Sequence, residues 1–577
     1  MAFQPVAARY LSLDYAIVRE QQSLMPPAPL RFVVLCDSLH FERWQAQTIR
    51  EAVAAGVAVP VGVVIREADP PPGEKRRWAR RWQARQLLVW RLFDRFYTRR
   101  RSRAIVQEDL STMFADVANV HDTPVRQGKF GEALGDTALE FVKALQPDFV
   151  LRFSYGILRG DILDIPTYGV WSYHHGDPAK YRGQPPGFWE IAEGSPVVGS
   201  ILQVLSDELD GGRILWQGTF QTRASSYVKT RDTMYLGSAP WLRSTCAAIL
   251  ATGRPPAAPL PGSKGRVYRQ PDNRTMVRFL WKTVRAFVAS QVTYRFYRQY
   301  WNCGVIAAPI ADVSGIMGAD RQALSLQSVT WMQPPRGEFY ADPFGHQIES
   351  GPAIRLFFER LPWRTKKGEI ATATFSDGRF GETHCAMSAE THLSYPFTLE
   401  IDGRPFFVPE HAAARNVSRF ATDQSGTVTS KVTMFAHMPL IDTTFVEWEG
   451  KTWAFATMET ASDNTDLFLF HADSLDGPWR AHPLNPVKSD VRSARPAGTP
   501  FVVDGRLYRP AQDCSTHYGS AITINEVVTL SDREFEERSV ARVAPPANGK
   551  YPYGLHTISQ VGGVTLIDGA RKRLALS

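Results

Sequence analysis

The stretch YGVWSYHHGDPAKYRG, residues 168–183, is the densest group of unusual residues in this sequence of 577 residues. Its first part, Gly169 to Tyr173, is an apolar run that predicts a strand. A polar loop follows directly and contains His174, His175, Asp177 and Arg182. Loops at the carboxyl ends of parallel strands are where α/β folds place their ligands. We therefore predict a functional loop here, with His175, Asp177 and Arg182 as candidate substrate-binding residues.

The residues around this loop predict one α/β domain over residues 30–255, after an N-terminal extension, residues 1–29. Two apolar runs enclose a segment with helical apolar spacing, which is the pattern of a β-α-β unit with a buried parallel sheet. These three segments are Leu30–Leu35, Arg43–Ala55 and Val59–Ile65. Further on, helical spacing predicts a helix over Thr137–Leu145, and apolar runs predict strands at Asp148–Phe153 and Gly199–Leu205.

Several spaced motifs between Pro147 and Leu215 resemble the formyltransferases that use 10-formyltetrahydrofolate. The family signature is a strand ending Asn-x-His, a loop closing Tyr/Trp-Arg-Gly, a Gly-x-x-x-x-Gly and a Leu-Asp-x-Gly turn. The matching segments are Ser172-Tyr173-His174, Tyr181-Arg182-Gly183, Gly194 to Gly199, and Leu209-Asp210-Gly211-Gly212, with Pro147-Asp148 and Tyr155-Gly156 in register upstream. The resemblance implies a Rossmann-type parallel sheet and an enzyme that transfers a formyl group to a primary amine, without a metal.

The resemblance also implies roles for individual residues. His174 and Asp210 are 36 positions apart, as in the family, and are the implied catalytic pair together with Ser172. His174 would stabilise the oxyanion, and Asp210 would orient the imidazole and help to take the proton. The implied binding residues for 10-formyltetrahydrofolate are Tyr155, Gly156, Leu158 and Asp207.

Each of these residues also has a structural interpretation. A histidine after a strand is often a hydrogen-bonded structural residue, and Asp-Gly is typical of a hairpin turn, which would account for Asp210. The segment His175-Gly176-Asp177 is equally typical of a rigid turn. Ser172 departs from the family asparagine, and loss of one oxyanion donor can lower a rate ~100-fold or more. A water molecule, His175 or Asp177 could take its place.

A three-residue motif, such as Asp342-Pro343-Phe344 or Tyr395-Pro396-Phe397, recurs about every 50 residues. It predicts a second, all-β domain over residues 326–577. Its third residues are Phe344, Phe397, Phe445, Phe501 and Ile558. Strand-rich units of this length are typical of propeller blades, so five units predict five blades. The region resembles the propellers of arabinanase-type glycosidases and, more closely, that of plant glucosamine inositolphosphorylceramide transferases.

The propeller resemblance suggests an amino sugar in glycan biosynthesis as the amine substrate. An alternative is that the propeller binds or processes glycans beside a degenerate formyltransferase domain, with Asp342, Glu410 and Asp442 as candidate carboxylates. Another is an enzyme like methionyl-tRNA formyltransferase. Further polar residues near the repeat starts that could line a central cavity are Arg495, Arg509, Gln512, Asp513, His517 and His556.

The net charge of +8 is concentrated in two basic segments. Residues 74–103, predicted as a helical insertion, carry +10, and Arg274 to Arg298, within a predicted linker over residues 256–325, carry +6. The rest of the chain is therefore net acidic, at −8, and no nucleic-acid-binding motif is present. Both segments have apolar residues at helical spacing, so we expect packing on the protein or a sister chain, or contact with an anionic membrane.

Five cysteines without a CxxC pair indicate a reducing compartment rather than a disulfide framework. The first residues lack a signal-peptide pattern, and no apolar run is long enough to span a membrane. We therefore expect a cytoplasmic protein that could lie peripherally on a membrane.

Overall fold

A computed structural model describes residues 28–67, 85–128, 131–207, 212–257, 265–348, 351–423, 425–460 and 462–574. The chain divides into two compact units, Met1–Ser290 and Gln291–Ser577. Asp210, the first part of the predicted insertion and most of the N-terminal extension lie outside the described residues.

The first unit is built on a mixed β-sheet. In chain order its strands within the described residues are β1 Leu30–Cys36, β2 Ala58–Arg66, β3 Asn119–Asp122, β4 Phe149–Arg152, β5 Val170–His175, β6 Val197–Val204 and β7 Ile214–Gln221. Their spatial order is β7-β6-β5-β4-β1-β2-β3. Strands β1 to β5 are parallel, whereas β6 and β7 are antiparallel to their neighbours. The predicted α/β class is therefore observed, and the expectation of a purely parallel sheet is corrected.

Helices cover both faces of this sheet, because the side chains of its central strands are apolar on both sides. On one face, Phe32 and Val34 share a core with Ile49 of helix Arg43–Ala54 and Ile249 of helix Trp241–Thr252. On the other face, Val33 and Leu35 pack with Val142 of helix Asp136–Leu145. The two cores fix the sheet between helices, so that only its ends remain accessible for a site.

Shorter elements complete the first unit. Its other described helices are Leu88–Phe93, Asp94–Thr98, Arg99–Arg101, Asp161–Leu163, Phe188–Glu193, Tyr227–Ser238 and Asn273–Phe296, which continues into the second unit. The remaining strands are His40–Glu42, Gln107–Asp109, Val125–Gln127, Gly131–Ala133, Ile157–Leu158, Tyr181–Gly183 and Arg266–Tyr268. The segment Asp94–Thr98 is a π-helical turn, so the described part of the predicted basic insertion is largely helical.

The second unit consists of five successive antiparallel sheets within its described residues. Sheet I contains Glu338–Gln347, Ile354–Pro362, Glu369–Ser376, Arg379–Phe380 and His384–Met387; sheet II contains Ser394–Ile401, Arg404–Glu410, Val417–Thr422 and Val428–Phe435. Sheet III contains Leu440–Trp448, Lys451–Met458 and Asp466–Ala472, with Arg480–Ala481 and Lys488–Asp490 paired to its third strand. Sheet IV contains Phe501–Val503, Arg506–Asp513, Ala521–Leu530 and Phe535–Val543.

Sheet V joins the two ends of this unit. Its strands, in spatial order, are Ile558–Val561, Val564–Leu574, Tyr297–Ile306 and Thr330–Trp331. The strand Tyr297–Ile306 lies in the range that the sequence marked as a linker, but it pairs along its whole length with the last strand of the chain. The second unit therefore begins before residue 326.

Three helical segments accompany these sheets in the described residues: Ile310–Val313, Ala319–Gln327 and Ala412–Ala414. The third residues of the first four recurring motifs lie in the first strands of sheets I to IV, beginning with Phe344 in sheet I. Ile558 begins the strand Ile558–Val561 of sheet V, in which Tyr297–Ile306 and Thr330–Trp331 come earlier in the chain. Among the described residues, no helix has the length and apolar character needed to cross a membrane.

Candidate functional sites

The first candidate site lies at the carboxyl edge of β4 and β5, where the sequence placed it. Side chains alternate along β5, so Ser172 and His174 share one face of the sheet, and Tyr173 and His175 share the other. Ser172 is buried and lies directly across from Arg152 of β4. The strand alternation therefore brings Ser172 and His174 together and separates both from His175.

His174 presents an unpaired nitrogen in this region. Its Nε2 is buried and has no hydrogen-bond partner among the residues that the structure describes. Burial, reinforced by the positive charges of Arg182 and Arg152, lowers the pKa of the imidazole. His174 is therefore neutral at pH 7 and can either donate or accept a proton at Nε2, depending on its tautomer.

Arg152 was not identified from the sequence, but it organises this edge of the sheet. Its Nη1 donates to Ser172 Oγ at 2.9 Å, and its Nη2 donates to the carbonyl oxygens of Tyr155 at 2.9 Å and Gly156 at 2.8 Å. Its position inside the apolar run Phe149–Phe153 could have identified Arg152 as a residue with a specific partner, since a charged residue is rarely buried in a strand without one.

The structure corrects the prediction for His175. Its ring is enclosed by Trp44 and Tyr235, with ring centroids 4.8 and 4.0 Å away, and its Nε2 lies 3.2 Å from Ser238 Oγ. Burial, with a smaller contribution from His174, lowers the pKa of His175 well below 6.5. His175 is thus a neutral core residue, because the alternation of β5 directs it away from His174.

Two of the four residues predicted to bind 10-formyltetrahydrofolate have buried side chains. Tyr155 and Leu158 are only 8% and 3% exposed and belong to the hydrophobic core, and the Tyr155 hydroxyl donates to Asp122 Oδ2 at 2.7 Å. Gly156 is exposed, but its N–H donates to Glu132 Oε2 at 2.8 Å. These three residues therefore shape the edge of the sheet without offering free side chains to a ligand. Asp207 is exposed, next to the undescribed turn with Asp210.

Asp177 and Arg182 flank the loop after β5. Asp177 Oδ1 accepts from the Ala179 N–H at 2.9 Å, and its carbonyl accepts from the Tyr181 N–H, which is the turn that the sequence allowed. Arg182 lies in the short strand Tyr181–Gly183, which pairs with Arg266–Tyr268.

A buried carboxyl group lies behind this loop. Glu190, on helix Phe188–Glu193, is 2% exposed, and burial, with Asp177 nearby, raises its pKa to about 7. A glutamate within the apolar run Phe188–Ile191 was its sequence signal.

The second candidate site is a cavity of about 250 Å³ within the second unit. Its lining includes the predicted residues Asp342, Glu410 and Asp442 as well as Arg495 and His556. The sequence did not identify the other lining residues, which are Trp301, Phe339, Ala341, Glu359, Leu361, His392, Ser394 and Tyr518. Thus five polar residues chosen from separate repeats line one cavity.

A repeated backbone distortion directs three of the first strands toward this region. Asp342, Tyr395 and Asp442 occupy the same position in sheets I, II and III, with φ of 51°, 44° and 50°. At each, two residues bulge out of the strand pairing, between Ala341 and Phe344, Ser394 and Phe397, and Ile441 and Thr444. Positive φ is costly for residues other than glycine and is found where function or packing requires it. In the third motif, the residue that is structurally equivalent to Phe344 and Phe397 is therefore Thr444 rather than Phe445.

The carboxyl groups in the cavity have contrasting environments. Asp442 accepts from Arg495 Nε at 2.6 Å and from Gln512 Nε2 at 3.0 Å. Burial and the nearby charge of Asp442 raise the pKa of Glu410 well above its usual range, and a hydrogen bond with Asp442 adds to this effect. The environment of Glu410 therefore favours its protonated form, beside the ion-paired Asp442.

Two further carboxyl groups complete this arrangement. Burial raises the pKa of Asp342 to about 6, and burial with the charge of Asp342 raises the pKa of Glu359 well above its usual range. His392 Nδ1 accepts from the Gly368 N–H at 2.9 Å, so its proton lies on Nε2, which is 3.3 Å from Glu359 Oε1. The cavity thus holds proton donors and carboxylates together, as acid–base chemistry requires.

His556 stacks on Trp301, with ring centroids 3.9 Å apart, and its Nδ1 pairs with Asp568. Although burial opposes its charge, Asp568 and Asp342 raise the pKa of His556. Asp342, His556 and Asp568 are close enough to hold a metal ion. The pairing of His556 Nδ1 with Asp568, together with the raised pKa of the imidazole, also fits a hydrogen-bonded ion cluster.

The other polar residues named near the repeat starts have different roles. Arg509 pairs with Glu537 at 2.6 Å, Asp513 pairs with Arg542 at 2.9 Å, and His517 Nε2 lies 2.8 Å from the Tyr553 carbonyl. These residues and Gln512 are not among those that line the cavity.

A family model described as glucosamine inositolphosphorylceramide transferase 1, N-terminal, matches residues 322–553. The glucosamine inositolphosphorylceramide transferase 1 of Oryza sativa subsp. japonica is 31% identical over 206 residues, covering 34% of this chain and 27% of that protein. The protein of the same name from Arabidopsis thaliana is 31% identical over 209 residues, 35% of this chain and 27% of that protein. The chain thus spans about a quarter of the length of these curated relatives.

The N-terminal part of the chain has formyltransferase-like similarity. The methionyl-tRNA formyltransferase of Clostridium tetani is 40% identical over 85 residues, which are 15% of this chain and 27% of that protein. Among solved structures, glycinamide ribonucleotide transformylase 1 from Symbiobacterium toebii covers 39% of this chain and 92% of its own, at 16% identity and a TM-score of 0.26. An exo-beta-1,3-galactanase from Clostridium thermocellum covers 35% and 49%, at 11% identity and a TM-score of 0.30. Likenesses at these scores do not define the fold.

Proposed function

We propose that this protein transfers the formyl group of 10-formyltetrahydrofolate to the primary amine of an amino sugar, at the carboxyl edge of β4 and β5. The observation that carries the proposal is the buried Nε2 of His174, which has no hydrogen-bond partner within the described part of the chain, beside Ser172 and Arg152. Its support from relatives is the 40% identity to a methionyl-tRNA formyltransferase. 10-Formyltetrahydrofolate supplies an activated formyl group when it is bound.

His174 suits this reaction because its lowered pKa keeps it neutral at the pH where an amine nucleophile can exist unprotonated. With its proton on Nε2, it donates a hydrogen bond to the formyl oxygen as negative charge develops there. The attacking amine nitrogen forms a bond to the formyl carbon and loses a proton. The bond from that carbon to the folate nitrogen then breaks, and the folate nitrogen takes up a proton. Asp210 is the residue that we assign to orient His174 and to help to take this proton.

Ser172 lies where the signature that the sequence resembles has an asparagine, and its contact with Arg152 supports our assignment of Ser172 to the active site. Arg152 holds the Ser172 hydroxyl at 2.9 Å and adds a positive charge near the position where negative charge develops. A fixed charged donor of this kind stabilises an oxyanion more strongly than a neutral one. We assign Arg152 as the positioning residue for Ser172.

An amino sugar is the acceptor that the second unit favours. Residues 322–553 match the N-terminal family model of glucosamine inositolphosphorylceramide transferase 1, a name that refers to an amino sugar. We interpret the five sheets of the second unit as the five blades of a propeller, and its cavity as a place for a carbohydrate. This interpretation leaves no role for a nucleic acid, in contrast to the methionyl-tRNA alternative.

The test is mass spectrometry of nucleotide-linked amino sugars after incubation with the full chain and 10-formyltetrahydrofolate, and the expected result is the gain of one formyl unit. His174→Ala should lower the rate by roughly 100-fold or more, as loss of a general acid or base does. His40→Ala, at an exposed histidine of the same unit, is the matched control. The proposal fails if no amine in the panel is formylated, or if His174→Ala is as active as the unchanged protein.

A second candidate function is binding or hydrolysis of a glycan in the cavity of the second unit. The specific observation in its favour is Glu410, whose pKa is raised well above its usual range, next to Asp442, which pairs with Arg495. Paired acid and base groups of this kind are what glycoside hydrolysis needs. Loss of hydrolysis in Asp442→Asn, with formyl transfer unchanged, would make this unit a second enzyme. Glycan binding without hydrolysis would make it a binding module.

A further inference from the structure

The two basic segments, which lie far apart in the sequence, pack against each other in the first unit. The Val89 N–H donates to Asn273 Oδ1 at 2.9 Å, and Asn273 Nδ2 donates to the Arg85 carbonyl at 2.8 Å. Trp90 and Phe93 pack in one apolar cluster with Met276 and Phe279 of helix Asn273–Phe296. The two basic segments, which are separate in the sequence, thus share one apolar cluster.

Each of these helical segments buries one apolar side and exposes another. On helix Asn273–Phe296, Trp281 is 66% exposed, and Val277, Val284, Phe287 and Val288 are each more than half exposed. In the helical segments from Leu88 to Arg101, Leu88, Leu92 and Phe96 are exposed at intervals of four residues. Single exposed apolar residues are ordinary, but a run along two packed helices indicates an interaction surface.

The exposed apolar residues are surrounded by positive charge. Between Asn273 and Ser290 the sequence has four basic residues and no acidic ones, and Arg285 lies over the Trp281 ring at 5.2 Å. In the partner segment Arg95 and Arg100 lie over Phe96 at 5.5 and 5.3 Å. Its acidic residue, Asp94, pairs with Arg99 at 2.9 Å. We name this face, with its exposed apolar residues and arginines, the basic apolar surface.

We propose that the basic apolar surface docks the protein onto an anionic lipid membrane. An amphipathic helix with aromatic and aliphatic residues on one side and lysine or arginine around them inserts its apolar side at the level of the headgroups. Helix Asn273–Phe296 has 24 residues and is about 36 Å long, which allows it to lie in the plane of the membrane.

The positive charge of the basic apolar surface favours an anionic membrane over a second copy of the chain as its partner. A symmetric contact between two copies would place the same arginine-rich faces opposite each other, and such like-charge contacts are unfavourable. Anionic headgroups instead neutralise these arginines while the acyl region covers Trp281, Val284 and Leu92. The proposal does not depend on formyl transfer, since no residue of the basic apolar surface belongs to either candidate site.

Vesicle sedimentation tests this proposal. The full chain should sediment with vesicles of phosphatidylcholine mixed with phosphatidylserine and remain in solution with vesicles of phosphatidylcholine alone. Arg278→Gln combined with Arg285→Gln should weaken binding about 25-fold, from about fivefold for each basic residue near an anionic surface. Trp281→Ala combined with Val284→Ala should weaken it by roughly tenfold or more. Binding should also fall as salt rises.

Two control variants remove the same kinds of exposed side chain, one apolar and one basic, from the second unit. Leu324→Ala removes an apolar side chain that is 69% exposed in the second unit, and Arg533→Gln removes an exposed arginine there. Neither should change vesicle binding, and thermal melting should show that all variants fold. Equal sedimentation with both kinds of vesicle, or binding that is unaffected by the Trp281 and Arg278 variants, would overturn the proposal. A dimer in sedimentation equilibrium that Trp281→Ala abolishes would assign this surface to a second copy instead.

Discussion

Arg152 and Ser172 meet across two neighbouring parallel strands, with Arg152 Nη1 donating to Ser172 Oγ at 2.9 Å. Ser172 lies where the formyltransferase signature that this sequence resembles has an asparagine, and Arg152 was not identified from the sequence. The contact explains how the short Ser172 hydroxyl is held in place.

Arg152→Ala should lower kcat/KM for formyl transfer about 100-fold, because it removes both the charge and the group that fixes Ser172. Arg152→Lys should retain part of the activity, since the charge remains while the paired hydrogen bonds are lost. Steady-state kinetics with 10-formyltetrahydrofolate measure both variants, and Arg126→Ala, at an exposed arginine of the same unit, is the control. A variant that keeps full kcat while only KM rises would show that Arg152 acts on binding alone.

His175 should make the first unit sensitive to mild acid. Burial holds the pKa of His175 in the folded state well below the ordinary value of 6.5. In mild acid, the imidazole is therefore protonated in the unfolded chain but not in the folded chain. The free energy of unfolding is then unaffected by His175 above about pH 6.5 and falls below that pH, by at most about 1.4 kcal/mol per pH unit. Urea denaturation at pH 5 and pH 8 should show a smaller loss in His175→Phe than in the unchanged protein. Equal losses would contradict a neutral, buried His175; His40→Phe is the exposed control.

Tyr395→Phe should destabilise the second unit by about 1–3 kcal/mol. The Tyr395 hydroxyl accepts from the Gly498 N–H at 2.7 Å and lies 2.8 Å from Thr444 Oγ1, so it joins three segments of the unit. The substitution leaves the buried Gly498 N–H without this partner. Thermal unfolding measures the effect, and Tyr297→Phe, at an exposed tyrosine, should change little. A melting temperature equal to that of the unchanged protein would mean that water replaces the hydroxyl.

Any glycoside hydrolysis in the cavity should have a bell-shaped pH profile. The acid limb should lie near pH 6, where Asp342, with its pKa of about 6, gains a proton and the cavity that contains Asp442 loses one negative charge. The alkaline limb should follow loss of the Glu410 proton, at a pH well above the usual range for a glutamate, because the pKa of Glu410 is raised. Glu410→Gln should lower hydrolysis roughly 100-fold or more.

The same profile distinguishes the two roles within the cavity. Asp377→Asn, at an exposed aspartate of sheet I, should leave both limbs in place. If the alkaline limb persists in a residually active Glu410→Gln variant, another group is the acid, and Glu359 is the next to test because its pKa is also raised.

The sequence predicted the elements of the first unit because its strands are continuous apolar runs between helices of clear periodicity. Phe149–Arg152, Val170–His175 and Asp136–Leu145 lie close to the predicted ranges. It did not predict that β6 and β7 run antiparallel, since a buried strand has the same apolar pattern in either direction. Periodicity also could not show which neighbours enclose His175, as these come from helices distant in the sequence.

In the second unit the repeat indicated the first strands of sheets I to IV but not the strand Tyr297–Ile306 of sheet V, and three carboxyl groups chosen from that repeat line one cavity. Local residue preferences fixed these strands and turns, because short-range hydrogen bonding and side-chain shape are encoded along the chain. Only the tertiary structure decided which distant side chains come into contact. Arg495 pairs with Asp442, Arg152 donates a hydrogen bond to Ser172, and the two basic segments share one apolar cluster. These relationships depend on contacts between residues far apart in the chain, and a single sequence carries no direct record of such distances.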